Sequence, residues 1–145
     1  MLISEVLRKK GAAVATVPPA TTIAAVVETL AQYGVGALVV SEDGRSVDGI
    51  ISERDVVRAL AEDGAATLER AAVDLMTAEV VTCSENATVE QLMAEMTARR
   101  FRHVPVVEDG RLVGIVSIGD VVNARVHNLE LATERLTNYI SGSGY

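Results

Sequence analysis

The chain has 145 residues, 49% of them apolar and 23% charged, which suits one compact unit, or two small ones sharing a core, and excludes an ordinary disordered chain. A net charge of −7 and only 3% aromatic residues argue against broad nucleic-acid binding, because phosphates repel such a surface and bases stack on aromatic faces. No apolar run approaches the ~18 residues of a membrane helix, no signal peptide is visible behind Glu5, Arg8, Lys9 and Lys10, and the single Cys83 allows no intramolecular disulfide and fits a reducing, cytoplasmic setting.

In chain order, residues 1–12 read as an N-terminal helical segment. A short strand follows near Val14–Val17. A helix over Thr22–Tyr33 then places Ile23, Val26, Val27 and Leu30 on one face, with Thr22 at its N-cap. Strands are predicted at Ala37–Ser41 and Val47–Ile51, joined by a turn at Glu42–Arg45 whose Asp43-Gly44 pair signals a two-residue primed hairpin. A helix begins after Ser52, and Asp63–Leu75 reads as a partly helical connector. The order then recurs. A strand is predicted near Val80–Cys83, and a helix over Thr88–Arg100 opens on a Thr88–Gln91 capping box. Strands follow at His103–Val107 and Leu112–Val116 around Asp109-Gly110, and a helix runs from Ser117. Val122, Val126, Leu129, Leu136, Tyr139 and Ile140 carry that last helix to Ile140, and a mobile tail is predicted at Ser141–Tyr145.

The recurrence is in register. A shift of 66 residues sets Thr16 on Thr82, Thr22 on Thr88, and Glu42-Asp43-Gly44-Arg45 on Glu108-Asp109-Gly110-Arg111. One residue drops out of the following hairpin, so a shift of 65 sets Gly49-Ile50-Ile51-Ser52 on Gly114-Ile115-Val116-Ser117 and Asp55 on Asp120. One unit of about fifty residues is too small to bury its sheet alone. The expected object is therefore an α/β module: two βαββα repeats packed with approximate two-fold symmetry, with a cleft on each side.

The doubled Ser-x-x-Asp, at Ser52–Asp55 and Ser117–Asp120, has the form of a capping box. A carboxylate at that strand-to-helix corner can also accept two hydrogen bonds from the vicinal hydroxyls of a ribose. It partly cancels the pull of the helix N-terminus on an anion, so a phosphate should use separate cations. Arg54, Arg102 and His103 are the candidates; Arg54 reads equally as a solvated first-turn side chain, and Arg99 and Arg100 as a solvated helix end. A planar ring needs a flat apolar slot. Thr16–Val17 with Ala37–Leu38 would line one cleft, and Thr82–Cys83 with His103, Val104 and Pro105 the other. Pro105, lacking an N–H, suits a strand end.

Gly49-Ile50-Ile51-Ser52-Glu53-Arg54-Asp55, Gly114-Ile115-Val116-Ser117-Ile118-Gly119-Asp120, Arg102-His103-Val104-Pro105 and Asp74-Leu75-Met76-Thr77 together resemble a tandem cystathionine-β-synthase (CBS) domain pair, or Bateman module, of the free-standing kind. The likeness runs from about Val6 to His127, with repeats at 13–72 and 73–128 and a helical extension with its tail at 129–145. It implies that Asp55 and Asp120 hold a ribose, and that CBS repeats dimerise through their helices, here as a homodimer. One cleft or both would be filled; the one using Arg102–Pro105 and Asp120 is favoured. The implied function is regulatory: an adenosine-containing ligand (AMP, ADP, ATP, NAD(H) or S-adenosylmethionine) shifts the repeats and an effector protein reads the shift. The alternative is a dimeric interaction scaffold without ligand, suggested by the glycine-rich Gly34–Gly36. No catalytic group, metal site or required cofactor is expected. His127 reads as solvent-facing, and Cys83 as a small buried apolar residue.

Overall fold

A computed structural model of the chain describes residues 1–141; the rest of the expected tail, 142–145, lies outside the described residues. Helix α1 (Ile3–Lys10) precedes β1 (Thr16–Val17), α2 (Ile23–Tyr33), β2 (Ala37–Val40), β3 (Gly49–Ser52) and α3 (Glu53–Asp63). A 3-10 helix over Gly64–Glu69 and the one-turn α4 (Ala72–Leu75) form the connector. The second copy comprises α5 (Val89–Arg99), β4 (His103–Glu108), β5 (Arg111–Ser117) and α6 (Ile118–Ser141). The caps fall where the sequence puts them. Thr22 accepts from the Ala25 N–H at 3.2 Å, and Thr88 and Gln91 each accept the other's backbone N–H at 3.1 Å. Helices α2 and α5 end at equivalent left-handed residues, Gly34 (φ 63°) and Arg100 (φ 58°). Glycine takes that conformation freely; arginine does so against the clash of its Cβ.

In the first repeat, β2 is central, parallel to β1 and antiparallel to β3. In the second, β4 and β5 pair antiparallel. The strand expected at Val80–Cys83 is reduced to one parallel bridge, Cys83 to Val106, the counterpart of Val17 on Val40. The cause lies in a single residue. The Val39 N–H donates to the Ala15 carbonyl at 3.4 Å, whereas Pro105, at the equivalent position, has no N–H to offer Val81. Pro105 itself stands inside the six-residue β4, paired with Ile115, not at a strand end.

The hairpins also differ from expectation. Asp109 (φ 51°) and Gly110 (φ 76°) make the primed turn. Asp43-Gly44 does not: β2 stops at Val40 and β3 starts only at Gly49, so the predicted Ser41 and Val47–Asp48 ends lie in a loop. There Asp43 Oδ1 accepts from the N–H groups of Arg45 and Ser46, both at 2.8 Å, and Asp48 accepts from the Glu42 N–H at 2.7 Å. These side-chain bonds replace the turn with a locally capped loop.

The two cores are closed by exchange. Ile3, Val6 and Leu7 of α1 lie in the core of the second repeat with Val89, Leu92, Met96, Val104 and Val121. Ala72, with Leu75 and Met76 beside it, closes the core of the first repeat around Ile23, Leu38 and Ile51. The backbone follows suit: Ile3 donates to the Ala87 carbonyl at 2.9 Å, and Ala72 to that of Thr21 at 2.8 Å. The core of the second repeat thus draws on the segment 1–12, and the core of the first draws on residues from both sides of the expected 72/73 boundary. At about 1.5–3 kcal/mol per buried aliphatic side chain, Ile3, Val6 and Leu7 anchor α1 firmly. The exchange also explains the glycine that opens each repeated motif. A Cβ on Gly114 would meet Leu7 Cδ2 at 2.7 Å, and one on Gly49 would meet Met76 and the Thr77 carbonyl oxygen, the latter at 2.9 Å.

Candidate ligand-binding site

A cleft of about 790 Å³ opens between the repeats. From the first come Gly36, Ala37, Ile50 and the corner at Ser52, Glu53, Arg54, Asp55, Val57 and Arg58. From the second come Thr77, Glu79, Val80, Val81 and the run Arg99–His103. Of the residues singled out in the sequence, Ala37, Ser52, Arg54, Asp55, Arg102 and His103 meet here. Thr16, Val17, Thr82, Val104, Pro105, Ser117 and Asp120 are not among the lining. Val17 and Val104 are core residues, Pro105 is buried in β4, Thr16 is half-buried and Thr82 exposed. The favoured grouping of Arg102–Pro105 with Asp120 is split by the fold: Arg102 and His103 line this cleft with Asp55, while His103 also pairs with Ser117 in the sheet and lies close enough to Asp120 to feel its charge.

The corner at Asp55 is built by its own capping box. Asp55 Oδ2 accepts from the Ser52 N–H at 2.8 Å and from the Ser52 hydroxyl at 3.0 Å, and the Asp55 N–H donates back to Ser52 Oγ at 3.3 Å. Asp55 Oδ1 has no hydrogen-bond partner among the described residues, so half of the carboxylate remains available in the cleft. The small Gly36 leaves room: a Cβ there would stand 3.5 Å from His103 Nε2 and 3.4 Å from Glu53 Oε1. His103 is half-buried. Burial holds its imidazole below the usual range, Lys10 and Arg102 add to that, and Glu53 and Asp120 pull the other way.

Five arginines line the cleft (Arg54, Arg58, Arg99, Arg100, Arg102) against three carboxylates (Glu53, Asp55, Glu79). The local balance is positive on a chain whose net charge is −7. Arg54 and Arg58 are four apart on α3 and share a face. Arg99 lies 5.9 Å from the Phe101 ring centroid, in cation–π range. Arg99 and Arg100 are exposed, as a solvated helix end would be, yet they border the cleft. Sequence reasoning missed Arg58, Glu79 and Val80–Val81. The i, i+4 spacing from Arg54 could have flagged Arg58. Val80–Val81 line the cleft where no strand forms, which Pro105 could have signalled.

The equivalent corner at Asp120 is engaged differently. Its Oδ2 accepts from the Ser117 N–H at 2.8 Å and from Lys10 Nζ at 2.6 Å. Burial pushes that carboxyl up, but the Lys10 ammonium and the Ser117 N–H outweigh it and hold it below the usual carboxylate range. Elsewhere the chemistry is quiet. Burial, with Glu95 and Glu108 adding to it, raises the half-buried Cys83 thiol to about 11, which keeps it protonated. His127 is exposed, as expected. Among the described residues no three His, Cys, Asp or Glu side chains are grouped to hold a metal ion, and no helix is long and apolar enough to cross a membrane.

The CBS domain family model matches residues 3–62 and 72–127. The chain is 40% identical over 128 residues to the mitochondrial CBS domain-containing protein CBSX3 of Arabidopsis thaliana, covering 86% of this chain but only 62% of that relative. Among solved structures, a CBS-domain containing protein of Agrobacterium tumefaciens superposes with a TM-score of 0.82 at 49% identity, over 86% of this chain and 99% of that one. A CBS domain protein of Pyrobaculum aerophilum complexed with AMP matches with a TM-score of 0.78 at 32% identity, over 92% and 99% of the two chains. The CBS domain pair of protein MJ0100, in complex with 5-methylthioadenosine and S-adenosyl-L-methionine, matches at 0.77 and 25% identity, over 88% and 98%. Two family matches in tandem, on a fold whose cores and corners repeat about a pseudo-two-fold axis, place this chain in the CBS domain family as a CBS pair.

Proposed function

We propose that the chain is a regulatory module without catalytic activity, which binds an adenosine nucleotide in the cleft at Asp55 and signals through a change in how its two repeats sit. The observation that carries this reading is the pairing, in one cleft, of a half-free ribose-type carboxylate with an arginine-rich rim. Asp55 Oδ1 would take the ribose hydroxyls. Ala37, Ile50 and Val80–Val81 would flank the purine, and Arg54, Arg58 and Arg102 would neutralise phosphate. The positive lining favours a phosphorylated ligand such as AMP, ADP or ATP over the cationic sulfonium of S-adenosylmethionine. The ligand would touch both repeats, so its affinity would depend on their relative placement. Linkage then makes the ligand bias that placement for an effector protein to read.

Titration calorimetry with AMP, ATP and S-adenosylmethionine tests this. The phosphorylated ligands should bind at least tenfold more tightly, with an affinity that weakens as salt rises. Equal affinities with no salt dependence would contradict the phosphate assignment, and no binding by any of the three at millimolar concentration would remove the reading. Of the Gly34–Gly36 stretch that suggested a scaffold without ligand, Gly36 contributes room to the cleft, which favours the ligand-binding alternative. The module would act as a homodimer in the cytoplasm. The exposed face of α6, with Val122 42%, Val126 48%, Leu129 51% and Leu136 59% accessible, offers the second copy an apolar seam.

A further inference from the structure

The two corners of the module carry the same capping box, and the segments that cross them differ. Leu7 packs against Gly114 as Met76 packs against Gly49, so α1 and the α4 segment are equivalents. Beyond that point they diverge. Helix α4 ends at Leu75 and the chain runs on past the Asp55 cleft with Glu79 on its rim. Helix α1 continues to Lys10, which occupies the place of Glu79 in the exchanged register. Lys10 Nζ donates to the Ile115 carbonyl at 2.7 Å and to Asp120 Oδ2 at 2.6 Å. Ile115 and Asp120 are the counterparts of Ile50 and Asp55, two groups that line the open cleft. The ammonium thus sits between the very groups that border the ligand space on the other side.

We infer that Lys10 is a built-in stopper for a second, latent nucleoside site at Asp120, so that the wild-type chain presents one open site and one closed one. The inference rests on the reading of Asp55 as a ribose-binding group. An ammonium neutralises Asp120 and forms a charge-assisted bond to it, with both side chains largely shielded (32% and 24% exposed). A neutral diol offers no charge to displace it. The Lys10 side chain can swing outward without moving its helix. It is the last residue of α1, followed by Gly11, while Ile3, Val6 and Leu7 keep the helix in place. Any change that removes the charge of Lys10 would convert the module from one ligand per chain to two.

Equilibrium dialysis that counts bound AMP, ATP and S-adenosylmethionine per chain tests this on the whole protein. Wild type and Lys10→Arg should bind one equivalent, Lys10→Gln two, and Lys10→Gln with Asp120→Asn one again. Circular dichroism of each variant checks that α1 and the fold persist. Two equivalents on wild type, or one on folded Lys10→Gln, would overturn the stopper while leaving the Asp55 reading intact. Weaker binding at Asp120 in Lys10→Gln than in wild type would make Lys10 a ligand group and also overturn it. No binding to wild type or Lys10→Gln by any of the three compounds would overturn both readings together.

Discussion

The corners at Asp55 and Asp120 begin from the same seven-residue pattern and reach different chemical states. Both carboxylates accept their serine's backbone N–H at 2.8 Å. Asp55 then faces a cleft rimmed by arginines, while Asp120 is tied to the ammonium of Lys10. The motif therefore builds a corner, and the chain that crosses the corner decides what its carboxylate meets. Three features outside the motif make the difference: a leading helix one turn longer on one side, Gly36-Ala37 where the other repeat has Arg102-His103, and Pro105 where the first repeat has Val39.

The exchanged leading segments are where that comparison breaks most readily. Gly49→Ala should destabilise by about 2–3 kcal/mol, because its Cβ would meet the Thr77 backbone oxygen as well as Met76. Gly114→Ala should cost less, about 1–2 kcal/mol, because only the flexible Leu7 side chain stands in the way. Urea unfolding of both variants checks the order, and the reverse order would mean that Leu7 yields less readily than Met76 and the Thr77 carbonyl. A smaller effect is expected from Pro105→Val. The new amide can donate to the Val81 carbonyl, as Val39 does to Ala15. It should extend the strand at Cys83, draw Val80–Val81 out of the cleft wall and weaken nucleotide binding a few-fold. Hydrogen exchange should find the position-105 amide protected. An unprotected amide there would mean that the missing donor is not what shortens this strand.

Much of this was legible in the residues. Periodic apolar positions at Ile23, Val26 and Leu30, the capping pair Thr88–Gln91 and the repeated Gly-to-Asp pattern were enough to read the helices, the pseudo-symmetry and the two capping-box corners. Local physics hid other parts. Asp43-Gly44 and Asp109-Gly110 look alike in sequence, but the bonds that Asp43 accepts from Arg45 and Ser46 open the first hairpin into a loop. The tie between Lys10 and Asp120 joins residues 110 apart, beyond the reach of any local pattern. A residue-by-residue match of the repeats cannot see that the leading segments trade places, nor that Arg102 and His103 line the same cleft as Asp55 while His103 also pairs with Ser117 beside Asp120.

The most direct measurement is nucleotide titration calorimetry on Asp55→Asn and Asp120→Asn side by side. Both substitutions keep an oxygen that can accept the serine N–H, so the corners should hold their shape. The account predicts that Asp55→Asn loses at least a hundredfold in affinity for AMP or ATP while Asp120→Asn binds within about twofold of wild type. Loss of binding in Asp120→Asn with Asp55→Asn unaffected would contradict it.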